Sequence, residues 1–163
     1  MIFITLGSQK FQFNRLLKKV DELVQEGKIQ SKVFAQIGYS DYKPKNYEYK
    51  EFLDREEFKE RMKLSELVIT HGGTGAIITA LKNDKKVIAI PRLSKFGEHV
   101  DDHQMQIVEE FGKTNIIESV YDIEKLEESI ANIYNKKFEK YISNTQKIIE
   151  SIEEFINENC EEN

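Results

Sequence analysis

Ser65-Glu66-Leu67-Val68-Ile69-Thr70-His71-Gly72-Gly73-Thr74-Gly75-Ala76-Ile77-Ile78-Thr79-Ala80-Leu81 is the most informative stretch of the chain. Leu67 to Thr70 is a short apolar run rich in β-branched residues, the mark of a buried strand, and it stops at three closely spaced glycines. Ala76 to Asn83 then places Ile77, Ile78 and Leu81 at helical spacing with no breaker, so the glycines occupy a strand-to-helix turn. Glycines let backbone N–H groups approach a ligand closely, and a helix N-terminus carries unpaired donors and about half a positive charge. Such a turn is a phosphate cradle, and His71 and Thr74 add side-chain donors to it. The plain alternative is a packing turn with no ligand.

Downstream, the helix runs into a second buried strand, Val87 to Ile90, which ends at Pro91. A polar loop leads from there to Val100-Asp101-Asp102-His103-Gln104 at the mouth of another helix. In an open parallel sheet such loops face one crevice, where ligands bind. Two familiar nucleotide motifs are absent. Counting from Gly73 and Gly75, the third glycine of a dinucleotide fingerprint falls on Ile78, and no Gly-Lys-Ser/Thr of a Walker A motif occurs.

Upstream, Ile2 to Leu6 reads as a strand and Gly7-Ser8-Gln9 as the loop at its carboxyl end. A helix from Phe13 to Gln25 follows, with Phe13, Leu16, Leu17, Val20, Leu23 and Val24 in one stripe and Gly27 to end it. Lys32 to Ile37 is a second strand running into Gly38-Tyr39-Ser40, and Tyr47 to Phe52 alternates as a short third strand. Asp54 and Glu57 form a capping box before a helix that ends near Lys63 and carries Phe58, Met62 and Leu64. The order β-α-β, β-α-β-α-β-α predicts an α/β class: a single Rossmann-like domain, a mostly parallel sheet flanked by helices. A sheet-containing core over 1–120 and a helical extension over 121–163 make one domain, 1–163. In the extension Asp122 caps a helix bearing Ile123, Leu126, Ile130 and Ile133. Phe138, Tyr141, Ile142, Ile148, Ile149, Ile152, Phe155 and Ile156 mark a long C-terminal amphipathic helix, either core packing or a docking element.

The chain has 163 residues, 39% hydrophobic and 33% charged, enough for one soluble domain with a core. Its net charge of −5 argues against nucleic-acid partners. The single cysteine, Cys160, forms no disulfide within the chain and suits a reducing, cytoplasmic setting. Met1 to Leu6 is expected to be a strand and not part of a signal sequence, and no apolar run reaches the ~20 residues of a membrane span.

His71-Gly72-Gly73-Thr74-Gly75 after a strand, the strand ending in Pro91, and Asp102-His103-Gln104 resemble the donor-binding, C-terminal half of GT-B glycosyltransferases of the family 28 type. The chain is similar to small catalytic subunits of two-component transferases. These are the N-acetylglucosaminyltransferase subunit of lipid-linked N-glycan synthesis and the bacterial capsular and exopolysaccharide β-1,4-glycosyltransferase subunit. Ile2 to Ser8, Phe13-Asn14-Arg15-Leu16 and Pro91 to Val100 look most like the bacterial member.

The resemblance implies an inverting, UDP-sugar-dependent hexosyl transfer, galactosyl or glucosyl, to a lipid-linked saccharide in capsule or exopolysaccharide synthesis. A membrane-associated partner subunit would bind the acceptor and hold the chain at the inner face of the membrane. It further implies that Gly7 and Ser8 face the nucleotide diphosphate, with Gly38 and Ser40 near the base and sugar. Asp102, His103 and Gln104 would hold donor-sugar hydroxyls. Thr79 stands where many GT-B enzymes carry a ribose-gripping glutamate, a single hydroxyl in place of a bidentate carboxylate. Arg92 or Lys95 either meets a diphosphate or belongs, with Lys82, Lys85 and Lys86, to a solvated basic patch.

No metal is expected to be required, since Asp101 or Asp102 is explained as a helix cap beside His99 and His103. The catalytic base is expected from the partner, with His71, His99 and His103 as the candidates within this chain. The other class of function is a non-catalytic enhancer or nucleotide-sensing subunit of such a complex.

Overall fold

The computed structural model describes residues 1–143. Six strands, β1 (Ile2–Thr5), β2 (Val33–Gln36), β3 (Glu48–Lys50), β4 (Leu67–His71), β5 (Lys86–Ile90) and β6 (Glu118–Ser119), form one sheet. Its order is β3-β2-β1-β4-β5-β6, and every neighbouring pair is parallel. The helices are α1 (Asn14–Gln25), α2 (Arg55–Leu64), α3 (Thr74–Lys82), α4 (His103–Lys113) and α5 (Leu126–Asn132). The α/β class expected from the sequence is therefore the observed one.

The central strands are apolar on both faces because each face is covered. In β1, Ile2 and Ile4 point into a core with Leu16, Leu17, Val20, Leu126 and Ile133 from α1 and the α5 region. Phe3 points the other way, to Met62, Ile77, Ala80 and Val108 from α2, α3 and α4. This two-sided burial is why the strands read as unbroken Val/Ile/Leu runs. β3 is exposed throughout and sits at one edge.

Two helices end or begin as their residues dictate. Gly27, at φ +72, closes α1 with its N–H on the Val24 carbonyl. Asp54 and Glu57 make both halves of the capping box of α2. The crossover from β2 to β3 contains no helix, and the buried Asp21 of α1 secures it instead. Its carboxylate accepts from Tyr42 Oη at 2.6 Å, Lys45 N at 2.9 Å and Asn46 N at 2.8 Å. Burial pushes the Asp21 carboxyl up, but these hydrogen bonds outweigh it and hold the carboxyl below its ordinary value.

Three expectations are corrected. A sixth strand, β6, joins the sheet, since two residues make no periodicity to read. Residues 136–143 form no helix, so Phe138, Tyr141 and Ile142 do not begin an amphipathic one; Phe138 packs beside Lys86 instead. Ile148, Ile149, Ile152, Phe155 and Ile156 lie outside the described residues. Finally, the lysines do not gather in one patch with Arg92. Lys82, Lys85 and Lys86 flank the start of β5, whereas Arg92 follows its end.

Candidate functional site

The chain reverses direction of winding between β1 and β4, with β2 and β3 on one side and β5 and β6 on the other. In such a sheet the two strands flanking the reversal diverge into loops that cannot cover each other, and a crevice opens at their carboxyl ends. A cleft of about 430 Å³ lies there. Its walls are Gly7, Ser8 and Gln9 after β1, His71 to Ala76 around the start of α3, and His99, His103, Gln104 and Ile107 from the loop and helix after β5.

The β4-to-α3 turn is shaped by His71. Its imidazole is 6% exposed, and its Nε2 would lie 2.3 Å from a Cβ at residue 73. A Cβ at residue 7, where φ is +70, would lie 2.9 Å from the ring's Cε1. Gly7 and Gly73 are thus required by one histidine ring between them. Gly72 answers to another neighbour, since its Cβ would meet Gln104 Cβ at 2.7 Å. Gly75 differs from these: nothing lies within 4 Å of a Cβ built there.

α3 begins at Gly73 with no side-chain cap, so the N–H groups of its first turn stand open toward the cleft. An anion is the natural partner for them. His71 Nδ1 faces Thr70 Oγ1 at 3.3 Å, and the ring also hydrogen-bonds the Thr5 carbonyl. The Thr70 hydroxyl gives its own proton to that carbonyl, at 2.7 Å. The network therefore assigns the ring proton to Nδ1 and leaves Nε2 as an acceptor. Burial, and after it the nearby Arg92 charge, push the His71 pKa down to about 3. Neutral His71 is too weak a base to deprotonate a hydroxyl near pH 7, and it donates from Nε2 only after taking up a second proton.

Gln104 ties two walls together. Its Oε1 accepts from Gly72 N at 3.1 Å and from Arg92 N at 3.0 Å, so its amide NH₂ is the part left for a ligand. His99 Nδ1 lies 3.1 Å from Asp101 Oδ1, and its ring packs on Phe11 at 4.7 Å between centroids. The same Asp101 oxygen accepts from His103 N, the first N–H of α4, while the N-cap residue Asp102 makes no side-chain cap bond. Among the three histidines, His99 is the one with a carboxylate on Nδ1 that could orient it as a base.

Of the residues singled out in the sequence, Gly7, Ser8, His71, Gly72, Gly73, Thr74, Gly75, His99, His103 and Gln104 meet at this cleft. Thr79, Asp102, Arg92 and Ser40 stand elsewhere. Thr79 is exposed on α3 and gives its proton to the Gly75 carbonyl at 2.7 Å. Asp102 Oδ1 accepts from Ser94 N and so holds the loop after β5. Arg92 is 1% exposed, which rules out the solvated-patch reading for it. Ser40, read as a loop residue near the base, is buried and accepts from Phe13 N at 3.0 Å, at the start of α1. Ile107, one helical turn beyond His103, lines the cleft without having been picked out; an apolar helix residue gives no sign of which surface it faces.

Comparison with known proteins fits this geometry. The chain is 32% identical over 84 residues to the UDP-N-acetylglucosamine transferase subunit ALG13 of Candida albicans, covering 52% of this chain and 27% of that protein. The Kluyveromyces lactis protein of the same name is 34% identical over 91 residues, covering 48% and 44%. The chain thus spans less than half of either relative. In structure, it superposes on the solution NMR structure of ALG13 with a TM-score of 0.59 over 93% of both chains, at 18% identity. Acinetobacter baumannii MurG gives 0.58 over 82% of this chain and 41% of its own, at 15% identity. These likenesses establish the half-GT-B fold. The family model of the glycosyltransferase family 28 C-terminal domain matches residues 1–158, and this chain belongs to that family.

Proposed function

We propose that the chain is the donor-binding subunit of an inverting glycosyltransferase that uses a UDP-sugar and works with a membrane-associated, acceptor-binding partner. The observation that carries this reading is the uncapped α3 N-terminus opposite the Gly7-Ser8 loop, with open space at Gly75. A diphosphate placed there satisfies the free N–H groups, and the same groups stabilise it as a leaving group. Gln104 NH₂, His103 and Ser8 are polar groups at the cleft placed to hold sugar hydroxyls. No metal is needed for that arrangement, because the dipole and N–H groups supply the positive field.

The sugar is a hexose, galactosyl or glucosyl by the likeness of Pro91 to Val100 to capsular subunits, and the acceptor a lipid-linked saccharide. The names of the curated relatives favour UDP-N-acetylglucosamine as the competing donor. Among the described residues no helix is long and apolar enough to cross a membrane, which fits attachment at the inner membrane face through a partner. The base comes from the partner, or from His99 held by Asp101.

Calorimetric titration of the purified chain with UDP, UDP-glucose, UDP-galactose and UDP-N-acetylglucosamine, with and without magnesium, tests the reading. Metal-independent binding with preference for one intact UDP-sugar supports it. Equal affinity for UDP and all three sugars favours the second reading, a nucleotide-sensing subunit, which the displacement of Thr79 from the cleft makes specific.

A further inference from the structure

Arg92 is buried to 1% exposure, yet only one of its three guanidinium nitrogens is satisfied. Nη2 donates to the Leu6 carbonyl at 3.0 Å and the Phe11 carbonyl at 3.2 Å, at the two ends of the loop that walls the cleft after β1. Nε and Nη1 have no hydrogen-bond partner, and the guanidinium carbon lies 5.5 Å from the centroid of the Phe13 ring. Unpaired buried donors are costly and rare, and a buried guanidinium is ordinarily matched by a carboxylate. Here the nearby carboxylate is Glu98, which is fully buried and taken by another residue. Arg15 holds it at both oxygens, at 2.9 and 3.0 Å, and Leu93 N adds a third bond at 3.0 Å. Two guanidinium groups therefore share one carboxylate, leaving one positive charge unneutralised behind His71.

We propose that Arg92 is a positioning residue of the donor site, holding the Gly7-to-Phe11 loop in place and presenting an unneutralised buried charge to a diphosphate that it does not touch. The inference rests on the reading of the cleft as a nucleotide-diphosphate site. Three observations carry it. Arg92 does not line the cleft, so direct contact is excluded in this arrangement. Its side chain spans from the end of β5 to the end of β1, across the reversal point where the cleft opens. Its charge is felt at His71, which does line the cleft. Burial lowers Arg92 only to about 10, so it remains cationic at neutral pH. A fixed cation in a poorly solvated setting acts over several ångströms with little screening.

The test compares UDP with uridine, which shares the base and ribose but carries no charge, on the full chain. Arg92→Gln keeps a donor for the carbonyls and removes the charge; Arg92→Lys keeps the charge and loses the fork. Arg15→Gln, at a side chain 17% exposed, frees Glu98 to neutralise Arg92 without altering it. UDP affinity is expected to fall on the order of tenfold in Arg92→Gln and Arg15→Gln, with uridine affinity unchanged, and to recover only in part in Arg92→Lys, which restores the charge but not both carbonyl contacts. A purely structural role would weaken both ligands alike, and that result, or unchanged UDP affinity in either Gln variant, overturns the proposal. Should Arg92→Gln not fold, Arg15→Gln alone decides. If the wild-type chain binds no UDP, the donor-site reading fails. Arg92 is then judged by amide hydrogen exchange at residues 7–11 in Arg92→Lys: faster exchange retains the loop-holding role, and unchanged exchange refutes it.

Discussion

His71 Nε2 and Gly73 stand so close that a Cβ on residue 73 would come within 2.3 Å of the imidazole nitrogen. The backbone at Gly73 is extended, with φ −84 and ψ 121, so any residue could adopt it. The ring, and not the conformation, excludes a side chain there. Because that ring also contacts the place of a Cβ on Gly7, it fixes the distance between the β1 and β4 loops.

Gly73→Val forces the His71 ring out of place and should abolish UDP binding, as measured by calorimetry. Gly75→Ala separates fold from function more sharply. No atom obstructs its Cβ, and alanine is favoured over glycine in a helix by up to about 1 kcal/mol. Denaturant unfolding should show equal or higher stability, while UDP affinity falls because the methyl group enters the space a phosphate would use.

Gln104→Ala leaves Gly72 N and Arg92 N without their acceptor in a buried site. The expected loss is about 2–3 kcal/mol in urea unfolding. Gln104→Glu restores an acceptor for both N–H groups and should regain much of that stability. It also places a negative charge beside the cradle, so its UDP affinity should remain well below that of the wild type.

His71 makes stability depend on pH. Its pKa is depressed from 6.5 to about 3 on folding, so the unfolded chain binds a proton that the folded chain refuses. The stabilisation is complete above pH 6.5 and is lost as pH falls toward 3, at no more than about 1.4 kcal/mol per pH unit. Unfolding measured at pH 7.0, 6.0 and 5.0 should give a smaller decline in His71→Gln than in the wild type. Parallel curves would contradict the burial of a neutral ring.

Asp21→Asn removes a carboxylate that accepts from four donors on three residues of the crossover between β2 and β3. An amide has one oxygen to offer in place of two. The expected cost is about 2 kcal/mol, with UDP binding unchanged because the crossover does not line the cleft. Thermal unfolding and calorimetry together check both halves.

The parallel sheet and the cleft's main walls were legible because strands buried on both faces and glycines at strand ends leave direct marks in sequence. Leu67 to Gly75 contained both marks. Side-chain partnerships across the chain left none. Arg92, in a loop with lysines near it in sequence, reads equally as a diphosphate contact or a surface cation, and only the fold reveals that it reaches the Leu6 carbonyl, 86 residues away. Thr79 follows from its likeness to a glutamate position of many GT-B enzymes, and a matching position does not determine which way a helix face turns. Asp102 and Ser40 are polar loop residues of the kind that bind ligands, and here they bind backbone N–H groups of their own chain.

Titration of the ¹⁵N-labelled chain with UDP, followed residue by residue in proton–nitrogen spectra, addresses the donor site most directly. The account expects the largest shifts at the amides of Gly7, Ser8, Gly73, Thr74 and Gly75, with a dissociation constant that Gly75→Ala raises. Shifts confined to the separate groove between Glu118 and Lys136, or none at millimolar UDP, would contradict it.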